Sequence, residues 1–190
     1  MKRGDGPGGR AIIIYGPIGS GKTTTCLRLA EELKARDLKV LGLISPRVYE
    51  DGRLIGYDLL NASTMERRPL CRVPERAGGG WLSYGRLHYT FSPEAFRWGN
   101  KILEEAAGEM CGGAVIFIDE FGRVEAVGGG LYRGAMAVAE ELKRGGAAIY
   151  TCRGELVERV LKLLGGRAER VLMHRPHGVD EILRFLTLCS

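Results

Sequence analysis

Ala11-Ile-Ile-Ile-Tyr15 runs directly into Gly16-Pro-Ile-Gly-Ser-Gly-Lys-Thr23, and from Lys22 onward the apolar residues take up a helical period. The first five residues are apolar and mostly β-branched without alternation, as in a strand buried on both faces. Beyond the glycines, Cys26, Leu27, Ala30 and Leu33 share one helical face, and Arg28, Glu31, Glu32 and Lys34 share the other. That division is the mark of an amphipathic helix. The intervening residues fit G-x-x-x-x-G-K-[ST], between a strand and a helix as the motif requires. Such a loop converges consecutive backbone N–H groups on phosphate oxygens, and the helix N-terminus adds its positive dipole end. Gly16, Pro17, Ile18, Gly19, Ser20, Gly21, Lys22, Thr23 and Thr24 are therefore the candidate phosphate cradle. Lys22 is expected to bridge β- and γ-phosphates, and the Thr23 hydroxyl to bind Mg²⁺.

The strand-helix rhythm continues downstream. Lys39-Val-Leu-Gly-Leu-Ile44, Ala114-Val-Ile-Phe-Ile118, Ala147 to Thr151 and Ala168 to Met173 read as further strands. Helical periods separate them, one of them opened by Ser92-Pro-Glu94 with an N-cap, a first-turn proline and an early acid. Strands spaced by helices of about ten or more residues predict a parallel sheet with helices on both faces. The expected fold is a P-loop NTPase of the α/β class: three layers around a mostly parallel, roughly five-stranded sheet. One interruption stands out. Arg47-Val-Tyr-Glu50 and Arg53-Leu-Ile-Gly-Tyr-Asp58 flank Asp51-Gly52, a two-residue hairpin signal. A β-hairpin insertion after the second strand is thus expected over about residues 45–90, with further strands near Pro69–Val73 and Arg86–Tyr89. Residues 1–10 read as a flexible start and 11–190 as a single domain.

Ile116-Phe-Ile-Asp119-Glu120 supplies a partner for the phosphate loop. An apolar strand there delivers acids at its C-terminal end, the edge at which open α/β sheets bind ligands. Asp119 is expected to hold Mg²⁺ through water, and Glu120, pointing differently by strand alternation, to polarise an attacking water. Arg123 and Arg153 are the two cations placed to offset transition-state charge. Thr151, at the end of its strand, is placed to hydrogen-bond the water or the γ-phosphate, and Glu125 is placed either to orient Arg123 or to form a surface ion pair.

Composition narrows the classes. The chain has 190 residues, 28 Lys+Arg against 23 Asp+Glu, and 29 glycines, about twice the usual glycine content of ~7%. A formal charge of +5 with both signs interspersed gives only a weak signal for nucleic acid, which is not favoured. The five cysteines are scattered, and His88, His174 and His177 have no metal-ligand spacing, so reduced structural thiols are expected. No stretch approaches the ~18 consecutive apolar residues of a membrane span. A cytoplasmic monomer without membrane contact is the expectation. Between Lys39 and Lys101 every basic side chain is arginine, interleaved with Tyr49, Tyr57, Trp81, Tyr84 and Tyr89. The bland reading of that segment, a solvated insertion whose tyrosines pack its own small core, is preferred over a partner surface.

Gly16 to Thr23, Ile118-Asp-Glu-Phe-Gly122 with Arg123 and Glu125, Ser45-Pro-Arg47, Gly56-Tyr-Asp-Leu59 and Ser92-Pro-Glu-Ala-Phe-Arg-Trp-Gly-Asn100 together resemble the THEP-type nucleoside-triphosphatase family over about residues 11–173. The resemblance implies a RecA-like core and Mg²⁺-dependent hydrolysis of nucleoside triphosphates, ATP and GTP included, with little base selectivity. Arg123 stands where the family commonly has lysine, and Gly128-Gly-Gly130 also departs from its pattern, which marks a divergent branch. Two rivals follow from the same residues: a nucleotide or polynucleotide kinase whose arginine-rich insertion holds the acceptor, and a nucleotide-dependent switch or RNA-binding module.

Overall fold

The computed structural model describes residues 9–166, 168–172 and 179–187. Most of the expected flexible start (residues 1–8), together with Met173, His174, His177 and Cys189, lies outside the described residues. Five strands form the parallel part of one sheet: β1 (Arg10–Tyr15), β2 (Val40–Ile44), β8 (Val115–Phe121), β9 (Ala147–Cys152) and β10 (Glu169–Leu172). Their spatial order is β10-β1-β9-β8-β2. Alternation along β1 explains how one short strand serves two layers. Ile12 and Ile14 pack with Cys26, Leu29 and Leu33 of helix α1 (Lys22–Ala35) and with Ile182 and Leu183 of α6 (Val179–Thr187). Ala11 and Ile13 pack on the opposite face with α2 (Pro93–Gly108), α4 (Tyr132–Leu142) and α5 (Val157–Leu163). Ile12, Ile13 and Ile14 are fully buried, and each side chain withdrawn from water contributes about 1.5–3 kcal/mol.

The insertion differs from a simple appendage. Strands β3 (Arg47–Glu50) and β4 (Arg53–Asn61) form the hairpin, with Asp51 at φ 48° and Gly52 at φ 74° in its two-residue turn. β4 then pairs antiparallel with β2 and continues the sheet through β5 (Arg67–Arg72), β7 (Thr90–Phe91) and β6 (Leu82–Ser83). The mostly parallel sheet expected from the strand-helix rhythm is therefore parallel only through its five-stranded part. The rhythm detects strands separated by helices, whereas hairpin strands add to the same sheet without any. Arg86–Tyr89 is not a strand: Gly85 adopts φ 56°, Leu87 N–H closes a turn on Tyr84 O at 3.1 Å, and pairing begins only at Thr90. Helix α2 starts as its sequence dictates, with Ser92 Oγ accepting the Ala95 N–H at 3.1 Å. Among the described residues no helix is long and apolar enough to cross a membrane.

Parallel register brings the C-terminal ends of β1, β2, β8 and β9 to one edge. Tyr15 lies opposite Cys152, Leu43 opposite Ile118, and Ile118 opposite Tyr150. The phosphate loop, Ser45, Asp119 and Thr151 consequently share that edge.

Candidate functional site

The loop after β1 closes tightly because Gly19 and Gly21 take φ 84° and 91°, left-handed values that cost an L side chain about 1–2 kcal/mol. Gly21 caps α1, so the first N–H groups of that helix face the loop. Lys22 is only 6% exposed, and its Nζ donates to Gly16 O (3.1 Å) and Pro17 O (3.0 Å). Ser20 Oγ is, among the described residues, a buried side-chain oxygen without a hydrogen-bond partner. A buried unpaired hydroxyl costs about 1–3 kcal/mol, a cost that a phosphate oxygen or a metal-bound water at this loop removes. The adjoining cavity, of about 300 Å³, is bordered by Gly21, Lys22, Thr23, Arg47, Tyr57 and Glu120 among others.

Asp119 is 1% exposed near the C-terminal end of β8. Its Oδ2 accepts the Ser45 N–H at 2.9 Å, its Oδ1 accepts the Thr151 hydroxyl at 2.5 Å, and its carbonyl accepts the Ser45 hydroxyl at 3.0 Å. Burial pushes this carboxyl above the usual range; the bonds from Thr151, Ser45 and Thr23 and the Lys22 ammonium oppose that rise. The donor set suits Mg²⁺. It consists of hard oxygens on Asp119 and Thr23 beside a phosphate loop, and among the described residues no group of three or more His, Cys, Asp or Glu forms an all-protein cage. Mg²⁺ typically keeps several waters and takes one or two protein oxygens plus phosphates.

Glu120 interrupts β8. Its φ of 71° is left-handed, and pairing with β9 slips between Ile118 and Phe121. The strain of such a conformation, about 1–3 kcal/mol, persists only where neighbours impose it. Thr151 is the neighbour: its fully buried hydroxyl donates its one hydrogen to Asp119 and accepts the Glu120 N–H at 2.8 Å. The hydroxyl proton is thus committed, and Thr151 positions the two acids rather than donating to an attacking water. Glu120 faces the phosphate cavity. Burial first, then the adjacent Asp119 charge, push its carboxyl up, while Lys22, Arg153 and Arg47 draw it down.

The expected cations separate. Arg153 Nε lies 4.0 Å from Glu120 Oε1. Arg123, with its side chain 60% exposed, is 3.6 Å from Glu155 on the surface. Glu125 does not orient Arg123. It is buried in the short helix α3 (Arg123–Ala126) and accepts the Gly122 N–H (2.9 Å) and the Leu131 N–H (3.0 Å). This accounts for part of the Gly128–Gly130 loop, because a Cβ on Gly130 would stand 2.1 Å from Glu125 Oε1. Burial raises the Glu125 carboxyl, against the backbone N–H groups that favour its charge. The raised value means that the folded chain binds more protons than the unfolded one between the ordinary glutamate range and the folded value. Stability from this residue is therefore greatest below that window and falls as pH rises through it. Urea midpoints measured across pH should show a smaller decline above about pH 4.5 in Glu125→Gln than in the wild type; identical slopes would contradict the shift.

Two contributors were hidden in the sequence. Ser45 fixes Asp119, and Arg47 turns back over the phosphate loop, its Nη2 3.8 Å from the position of a Cβ on Gly19. Arg47 Nη1 donates to the Tyr49 hydroxyl at 3.4 Å, and no carboxylate forms an ion pair with it among the described residues. The usable signal was position: Arg47 follows directly on the C-terminal end of β2, the ligand-binding edge. Burial pushes the Cys152 thiol, beside the end of β9, up to about 12.

A glycine loop between β1 and α1, its buried lysine, and an aspartate near the C-terminal end of β8, one strand removed from β1 across β9, define a P-loop protein built to hold a nucleotide triphosphate group. Comparison narrows that class. A family model described as NTPase matches residues 11–173, and the chain belongs to that family. It is 27% identical over 177 residues to the nucleoside-triphosphatase THEP1 of Caldivirga maquilingensis, a match covering 93% of this chain and 95% of that protein. Two solved structures share the fold. A human cancer-related nucleoside triphosphatase has a TM-score of 0.72 at 24% identity, covering 95% of this chain and 99% of that one. THEP1 from Aquifex aeolicus gives 0.70 at 20% identity, covering 93% and 99%.

Proposed function

We propose that this protein hydrolyses nucleoside triphosphates, ATP and GTP among them, to the diphosphate and phosphate. The observation that carries the reading is Glu120, held out of strand geometry beside Asp119 so that it borders the same cavity as Lys22. The name of the Caldivirga maquilingensis relative supports the same activity. In this reading residues 11–190 act as one monomeric unit with a RecA-like core, and about 45–90 form one wall of the site. The loop N–H groups, Lys22 and Arg47 bind and orient the triphosphate. Thr23 and Asp119 would hold Mg²⁺, which would supply charge neutralisation at the phosphates. Water bound beside Glu120 attacks the γ-phosphorus in line and gives its proton to the Glu120 carboxylate. The bond from the γ-phosphorus to the bridging oxygen breaks, its electron pair leaves with the diphosphate, and the guanidinium and ammonium offset that charge.

Purified protein with Mg²⁺ and ATP or GTP should release inorganic phosphate and diphosphate in equal amounts, and EDTA should stop it. Transfer of the phosphoryl group to another molecule, or no release above buffer, would overturn the reading. Arg47 and Arg123 also part company here. Arg47→Ala should lower kcat/KM roughly 10- to 100-fold, because a cation at the phosphates is lost from a partly enclosed site. Arg123→Ala removes one exposed ion pair, so its effect should stay within about threefold. Parallel phosphate-release assays decide the ranking, and equal losses would place both guanidinia at the substrate.

A further inference from the structure

A second cavity, of about 400 Å³, also borders Glu120. It shares Ile18, Tyr57 and Glu120 with the phosphate cavity, so the two adjoin across the proposed base. Hydrolysis alone does not call for it, because a water molecule occupies about 30 Å³ of liquid volume. Its walls are aromatic. Tyr57 meets Tyr89 edge to face at 5.5 Å, and Phe91 stacks on Phe96 at 5.7 Å with 14° between the rings. Such surfaces accept a planar ring by stacking or by its edge.

The charges around it select an anion. Arg86, Arg123 and Arg153 border the cavity against the carboxylates of Glu120 and Glu125. Glu125 is engaged by two backbone N–H groups, Arg153 stands off Glu120 at 4.0 Å, and Arg123 pairs weakly with Glu155 outside. Arg86 is exposed, and no carboxylate forms an ion pair with it among the described residues. A guanidinium at the rim of an aromatic chamber matches a molecule carrying a planar ring at one end and a phosphate at the other.

We propose that this chamber binds a nucleoside monophosphate while the triphosphate occupies the phosphate loop, and that its occupant slows hydrolysis by crowding the water beside Glu120. The inference rests on the reading of Glu120 as the γ-phosphate side of the site. It assigns the aromatic insertion a ligand of its own.

The test titrates AMP calorimetrically into protein already saturated with Mg²⁺ and a β,γ-imido analogue of ATP, saturation having been established in a separate titration. AMP should still bind, and adenosine and inorganic phosphate should each bind more weakly. Arg86→Ala, a change at an exposed position, should weaken AMP about tenfold and leave the affinity for the analogue within about twofold. With ATP as substrate, AMP should lower kcat and leave KM nearly unchanged. Loss of AMP binding once the analogue is present would place AMP in the phosphate loop and overturn the proposal. AMP affinity unchanged in Arg86→Ala would overturn it as well. If the analogue itself fails to bind, the triphosphate reading falls instead, and the two failures are told apart.

Discussion

Replacing Lys22 with alanine is expected to lower kcat/KM for ATP and GTP by about 10³-fold, and to weaken triphosphate binding as well. The side chain is nearly inaccessible and its ammonium sits on the carbonyls of Gly16 and Pro17. A bound triphosphate offers that ammonium a charged oxygen in place of two neutral ones, and charge-assisted bonds are roughly twice as strong. The backbone N–H groups of the loop remain after the substitution, so residual binding is expected. The two carbonyls lose their donor, which costs up to about 1–3 kcal/mol of stability. A thermal melt run beside the phosphate assay separates that loss from the catalytic one. A folded variant within tenfold of the wild type would remove Lys22 from the phosphate site.

Glu120→Gln is expected to lower kcat by about 10²- to 10⁴-fold while KM moves little. The substitution keeps the length of the side chain and the backbone N–H bond to Thr151, and removes only the ability to take a proton. Because Asp119 keeps its hydrogen bonds from Ser45 and Thr151, metal and triphosphate binding should survive. Direct titration of the imido analogue into the variant checks this. An unchanged kcat would mean that the γ-phosphate itself takes the proton of the water, and Glu120 would then be a spectator at the wall.

The parts of this site legible in the sequence are those written locally. The phosphate loop announces itself through consecutive residues, and Asp119 through the apolar strand it ends. In the sequence Arg47 is one arginine of a solvated insertion, because its approach to Gly19 depends on β3 pairing with β4 while β4 pairs with β2. No nearest-neighbour pattern encodes such a chain of pairings. The tyrosines illustrate the same limit from both sides. Tyr57 and Tyr89 do pack with each other, as an insertion with its own small core requires. Tyr49 and Tyr57 also border the phosphate cavity, which the bland reading leaves out. Thr151 and Glu125 were legible as polar residues near the edge, and their roles were not, since both depend on which backbone N–H groups tertiary folding leaves nearby.

The pairing of β4 with β2 has a mechanical consequence. Leu43 and Ile44 are registered with Asn61 and Leu60, so the segment facing the phosphate loop is bonded into the same sheet that carries Asp119. It is a fixed wall, and swinging it away would break main-chain bonds next to the catalytic edge. Opening and closing of the entrance then falls to rotations of exposed side chains such as Ile18 and Tyr49, which occur in picoseconds to nanoseconds, whereas hinge closures take microseconds to milliseconds. Access to this side of the phosphate cavity therefore needs no movement of the insertion as a body.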